Sequence, residues 1–199
     1  MNHRRMLAVA AAVAAAVSAP VLAQNFSESV SFLKGVRERD GGTIERMLSN
    51  PSSTVINARE TGTGYGALHI VVRARDITWL NFLLGRGARV DIQDSEGSTP
   101  LLTASQIGWS EGVARLLRAG AAVDAANNRG ETPLIAAVQR RDGVVVRQLL
   151  ARGADPTRTD SAAGYSALDY ARRDNRSPEI VRLLEAQRAP ARPAAGPAR

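Results

Sequence analysis

A period of 33 residues runs through the chain and limits its fold more than any other feature. Gly97-Ser98-Thr99-Pro100-Leu101 recurs as Gly130-Glu131-Thr132-Pro133-Leu134. Leu83-Leu84, Leu116-Leu117 and Leu149-Leu150 keep the same step, as do Gly87-Ala88, Gly120-Ala121 and Gly153-Ala154. Three independent markers with one period describe a chain of like units placed side by side.

Each unit makes local physical sense. Thr99 or Thr132 can cap a helix while the next residue, Pro, takes the first helical position, where its missing N–H costs nothing. The spacing predicts a short helix from Leu101 to Ile107, ended by Gly108. Val113, Leu116 and Leu117 then mark the buried face of a second helix, which Gly120 stops. Ala121-Ala122-Val123-Asp124 leads to a turn that closes at Gly130. Neither helix can bury its apolar face alone, so the units must stack.

The run Asp94-Ser95-Glu96-Gly97-Ser98-Thr99-Pro100-Leu101, followed by Ala104, Gly108, Val113, Leu116-Leu117, Gly120-Ala121 and Val123-Asp124, resembles an ankyrin repeat. The threonine-proline-leucine start and the period are the specific part of the match. The resemblance implies an all-α solenoid of stacked helix-turn-helix units with short β-hairpin-like turns. Five units are expected, at about 27–60, 61–93, 94–126, 127–159 and 160–187, within a repeat domain spanning 24–187. Units three and four match closely.

The other units depart from the pattern. Gly66-Ala67 and Ser166-Ala167 replace Thr-Pro in units two and five, which predicts weaker N-terminal definition for those helices. Unit one is the most degenerate: Phe32, Leu33 and Val36 line its first helix in this reading, Ile44, Met47 and Leu48 its second, and Asn57-Ala58 closes it. Glu28, Arg37, Glu38 and Arg39 suit an end cap whose outer face meets water, as do Arg182 and Glu185 on a last helix from Glu179 to Ala186.

The two ends read differently from the repeats. His3, Arg4 and Arg5 precede an uncharged apolar stretch, Met6 to Val17, then Ser18, Pro20 and Val21-Leu22-Ala23. This is the pattern of an export signal over 1–23, with cleavage expected between Ala23 and Gln24 and a periplasmic or secreted product, here taken as periplasmic in a Gram-negative bacterium. From Arg188 to Arg199 the chain is Pro, Ala and Arg with one Gly, a composition expected to stay disordered. The formal charge of +7 and pI near 11 point at first to an acidic partner. Arg4 and Arg5 carry two of those charges and Arg188, Arg192 and Arg199 three, which leaves +2 for 24–187.

Composition and inventory narrow the function. Hydrophobic residues at 44% and charged residues at 23% argue against a disordered or polytopic membrane chain, and aromatics at 4% against a β-sandwich. Without cysteine, disulfides, thiolate zinc sites and thiol nucleophiles are absent. With His3 in the signal, acid–base or metal chemistry rests on His69, which the resemblance assigns a structural bond to a neighbouring turn. Asp91, Asp124 and Asp155 are read as one repeat position serving hydrogen bonds between units. The chain is therefore read as non-enzymatic, without cofactor or metal. Lys34 is the only lysine and the arginines are dispersed, which argues against nucleic acid.

A protein-binding surface remains. The family's contact positions, carried over by the resemblance, fall on Thr63, Tyr65 and Arg73 in unit two, and on Glu96, Ser98, Gln106 and Ile107 in unit three. In unit four they fall on Arg129, Glu131, Gln139 and Arg140, and in unit five on Tyr165, Arg173 and Asp174. Trp79 and Trp109 are expected to pack in the core or on the back face. The expected function is protein–protein binding by a monomer through the concave side, with the partner unidentified. Two alternatives stand beside it: a chaperone-like or immunity-type protector of an envelope enzyme or toxin, and a membrane-tethered scaffold if the signal is retained.

Overall fold

A computed structural model of the chain describes residues 27–49 and 53–188. The expected export signal, and the expected tail beyond Arg188, lie outside the described residues. No helix among those described is long and apolar enough to cross a membrane.

The described residues form five helix pairs and no extended strand. Helix α1 covers 27–38, followed by α2 (Gly41–Leu48), and a 3-10 turn at Val55–Asn57 closes the first pair. The second pair is α3 (Ala67–Arg73) with α4 (Ile77–Gly85), the third α5 (Pro100–Gln106) with α6 (Ser110–Arg118). The fourth is α7 (Pro133–Gln139) with α8 (Gly143–Leu150), the last α9 (Ala167–Asp174) with α10 (Pro178–Arg188). First helices α3, α5, α7 and α9 pack in sequence in one layer, and α4, α6, α8 and α10 in a second. One apolar core runs from Phe32 and Val36 through Leu80, Leu116, Leu134 and Leu149 to Ile180 and Leu184. The all-α solenoid read from the period is what forms.

Helix starts follow the cap residues. Thr99 accepts from the Leu102 amide and Thr132 from that of Ile135, each at 3.2 Å, with Pro in the first turn. Asp40, Asp76 and Asp142 cap α2, α4 and α8 through the Thr43, Trp79 and Val145 amides, each at 3.0 Å. The expected weakness of α9 is not found. Ser166 accepts from the Asp169 amide at 3.2 Å while the Asp169 carboxylate takes the Ser166 amide at 3.0 Å, a reciprocal cap that does without Thr-Pro. At α3 there is no cap side chain, and the His69 ring instead accepts the Gly66 amide at 3.3 Å. Gly66 also leaves room for Ile92, since a Cβ there would stand 2.7 Å from Ile92 Cδ1.

Unit three exchanges a cap for packing. Trp109 stands where its neighbours have Asp76 and Asp142, and it makes no cap bond. Its indole is buried against Gly112, where a Cβ would fall 2.0 Å from a ring carbon. Trp79, one period before Gly112, is half-buried with its ring edge-on to Phe82 at 5.3 Å.

Three expectations at the ends and in the loops need correction. Arg37 and Arg39 do not simply face water: Arg37 pairs with Glu60 within unit one, and Arg39 pairs with Asp76 of unit two, each at 2.7 Å. The last helix starts at Pro178 and reaches Arg188, so it passes the expected unit limit of 187. Asp155 does not share the role of Asp91 and Asp124. Asp91 accepts from the Ala122 amide at 3.0 Å and Asp124 from the Asp155 amide at 3.1 Å, so Asp155 is the donor end of that ladder. Its own carboxylate takes the Thr157 amide at 2.8 Å, because Thr157 occupies the repeat position that an Asp holds in the units before.

Candidate functional site

The hairpins between units and the exposed sides of the first helices form one continuous face. Each hairpin is closed from within. Asp94 accepts the Glu96 and Ser98 amides, Asn127 those of Arg129 and Glu131, and Asp160 those of Ala163 and Gly164, at 2.8 to 3.1 Å. Successive hairpins then join through backbone. The Thr63 carbonyl accepts from the Ser95 amide at 3.0 Å, Glu96 from Asn128 at 2.9 Å, and Arg129 from Ser161 at 2.8 Å. The joint is tight at Gly64, which has φ +68° and would place a Cβ 2.5 Å from the Ser95 nitrogen. A side chain there would force adjacent hairpins apart.

His69 ties this face to the core. It is fully buried, and its Nε2–H donates to the Ser98 carbonyl at 2.9 Å while Nδ1 accepts from Gly66. Those two partners define a neutral ring of one tautomer. Burial holds its pKa below the ordinary 6.5, against the smaller opposing effect of the Ser98 bond. The structural bond to a neighbouring turn is therefore present.

Tyr65 stacks on that histidine, with ring centroids 5.7 Å apart, and the Arg73 guanidinium lies over the Tyr65 ring at 5.3 Å. Unit five repeats the arrangement: Arg173 lies 4.7 Å over the Tyr165 ring and donates to its hydroxyl at 2.9 Å. Tyr165 meets Tyr170 edge-on at 5.5 Å. The two tyrosine–arginine pairs thus sit on the same face, each with its tyrosine in the hairpin and its arginine on the helix that follows, α3 or α9.

Two open clefts lie along this face. The first, of ≈ 290 Å³, gathers Thr63, Tyr65, Arg73, Glu96, Ser98, Gln106 and Arg129 from the expected positions. The second, of ≈ 200 Å³, adds Glu131 and Gln139, with Arg129 shared between the two. Several of these side chains are already engaged. Thr63 donates to Glu60 at 2.7 Å, and that bond, with Arg37 next, keeps the Glu60 carboxyl below the usual range. Glu131 accepts from Gln106 at 2.9 Å and Asn127 at 3.0 Å, and Arg129 lies 3.8 Å from Glu96 and 3.9 Å from Glu131.

Other expected positions sit elsewhere or are occupied. Ser98 is buried, and its carbonyl is held by His69. Ile107 packs against the core, and its carbonyl takes the Arg75 guanidinium at 2.5 Å. Arg140 is exposed, with its guanidinium against Gly108. Asp174 is clamped by Arg141 through bonds of 2.5 and 2.7 Å, which lower its pKa. None of Ile107, Arg140, Tyr165, Arg173 and Asp174 lines either cleft.

The sequence reading missed Thr103, Asp160 and Tyr170, which line the clefts. The Tyr170 hydroxyl donates to Asp160 at 2.5 Å, which raises the phenol's pKa. Burial pushes Asp160 upward, yet the Tyr170 bond and the hairpin amides leave its carboxyl below the usual range. Register could have found these residues. Thr103 and Tyr170 occupy one repeat position, filled by Ile70 and Ala136 in the other two units, and a polar side chain there faces the cleft.

The family described as ankyrin repeats (three copies) matches residues 68–160, which span the second to fourth helix pairs. Proteins built from such repeats are generally non-catalytic modules for protein–protein interaction. Stacked helix pairs, hairpins in register and this match agree: residues 68–160 are ankyrin repeats.

Proposed function

We propose that this chain is exported and that it binds a protein partner along the face formed by its hairpins and first helices. The observation that carries the binding reading is the pair of tyrosine–arginine stacks at Tyr65 with Arg73 and Tyr165 with Arg173. Tyrosine and arginine are the side chains most often found to anchor interfaces, and here both are held in place before any partner arrives. The hairpin ladder and the buried His69 fix the backbone beneath them, so docking orders little chain. The export reading rests on the basic, apolar and small-residue pattern of 1–23.

The test is capture of a partner from the cell envelope with the full chain as bait. Tyr65→Ala combined with Arg140→Glu and Arg173→Glu should abolish capture while leaving the thermal melt close to wild type, because all three side chains lie outside the core. Undiminished capture by that variant would remove the concave-face reading. N-terminal sequencing of the chain from the envelope fraction checks export, and a start at Gln24 is the expected result.

A further inference from the structure

We infer that this face recognises an extended acidic segment of the partner, with two carboxylates about seven to nine residues apart, one at each tyrosine–arginine pair. The inference rests on the proposed protein-binding role of the face and specifies the chemistry of the ligand.

The two pairs are chemically alike. In each, the arginine follows its tyrosine by eight positions and places its guanidinium over the ring. An arginine stacked this way is held by one flat side. Arg73 keeps its N–H edge open to grip a carboxylate, and Arg173, with one Nη1–H on the Tyr165 hydroxyl, keeps its remaining N–H groups for the same use. Arg73 and Arg173 have no carboxylate partner among the described residues. In the cleft that Arg73 lines, Asp94 is taken up by the Glu96 and Ser98 amides and Glu96 lies 3.8 Å from Arg129; beside Arg173, Asp174 is held by Arg141. Both ends of the face therefore offer a guanidinium without an ion-pair partner, stacked on a tyrosine ring.

Spacing follows from the solenoid. Three packing steps, α3 to α5 to α7 to α9, separate the pairs, and at about 8–10 Å between packed helices the span is about 24–30 Å. An extended chain covers that distance in about seven to nine residues, at roughly 3.3–3.6 Å each. Between the pairs stand Glu96 and Glu131, with one arginine, Arg129, near both. An unbroken row of phosphates would run over these acids and be repelled, whereas a peptide can place neutral residues there. The chemistry favours an acidic–neutral–acidic peptide over a nucleic acid.

Fluorescence anisotropy with labelled peptides and the full chain tests this. The probes are thirteen-residue peptides of Ser, Thr and Gly carrying two Glu about eight residues apart, two adjacent Glu, or one Glu. The spaced peptide should bind at least about tenfold more tightly than the other two, as expected when one linker serves two sites. A further Glu at its centre should weaken it. Arg73→Gln, and separately Arg173→Gln, should bring the spaced peptide down to the single-Glu level. Equal binding of spaced and adjacent peptides to the unaltered chain overturns the inference. So does a spacing advantage that survives both substitutions, or a twelve-nucleotide thymidine strand that competes as well as the spaced peptide. If the spaced peptide gains nothing while envelope capture is still lost in the triple variant, the concave-face reading stands and the two-carboxylate inference falls.

Discussion

His69 shows how one residue links the hairpin face to stability. Its ring is neutral because it is buried, and both nitrogens are bonded, to Ser98 and Gly66. Burial lowers its folded pKa below the 6.5 of a free side chain, so the unfolded chain binds a proton more readily. Above pH 6.5 both states are neutral and the arrangement has its full effect. As pH falls from 6.5 toward the lowered folded value, protonation favours the unfolded chain and stability declines. His69→Asn should therefore flatten the pH dependence of urea unfolding in this window, and lower stability at pH 8 by about 1–3 kcal/mol through unmade buried bonds. An unchanged slope in the variant would refute this account. At lower pH a second loss follows from Glu60, Asp76 and Asp160, whose lowered pKa values mean that their contribution is present above the unfolded carboxylate range and disappears as pH falls through the folded one.

At the level of single helices, each start is one answer to the same need, the unpaired amides of the first turn. Threonine, aspartate or a serine–aspartate box meets it at α5, α7, α4, α8 and α9. Helix α6, like α3, has no side-chain cap, and the Trp109 indole packed over Gly112 takes its place. The pair should be strongly coupled. Gly112→Ala drives a methyl into a rigid ring and should cost about 1–3 kcal/mol. In a Trp109→Asp background the ring is gone and the better helix former should instead stabilise, by up to about 1 kcal/mol. A double-mutant cycle in urea unfolding reads the difference, and the same sign for Gly112→Ala in both backgrounds would show that the ring is not the obstacle.

The whole molecule is a line of neighbours: among the described residues, the main contacts between helix pairs join each pair to those beside it. Opening should therefore begin at the ends and depend on position. Leu134 in α7 and Leu184 in α10 are both fully buried, and replacing either with Ala removes a similar apolar volume. By native-state hydrogen exchange, Leu184→Ala should lose protection in α9 and α10 alone. Leu134→Ala should lose it in the central pairs and everything stacked upon them. Equal, uniform loss in both variants would mean that the solenoid opens as a single unit.

How far these features could be read in advance depends on how far apart the interacting residues lie. The period, the helices, their caps at Thr99 and Thr132, and the buried faces at Val113, Leu116 and Leu117 come from interactions within one unit, so the sequence alone determined them. It also determined where the hairpin face had to run, because the hairpin tips recur with the period. Tertiary structure decided which residues of that face are free. Ser98 is buried at the cleft wall with its carbonyl held by His69, Ile107 packs against the core, Asp174 is held by Arg141 from the unit before, and Tyr170 meets Asp160 at the second cleft. Pairings such as Arg39 with Asp76, or the Asp124 carboxylate with the Asp155 amide, cross from one unit to the next. Their partners are set by how the units stack in space, which the 33-residue step implies but does not specify atom by atom.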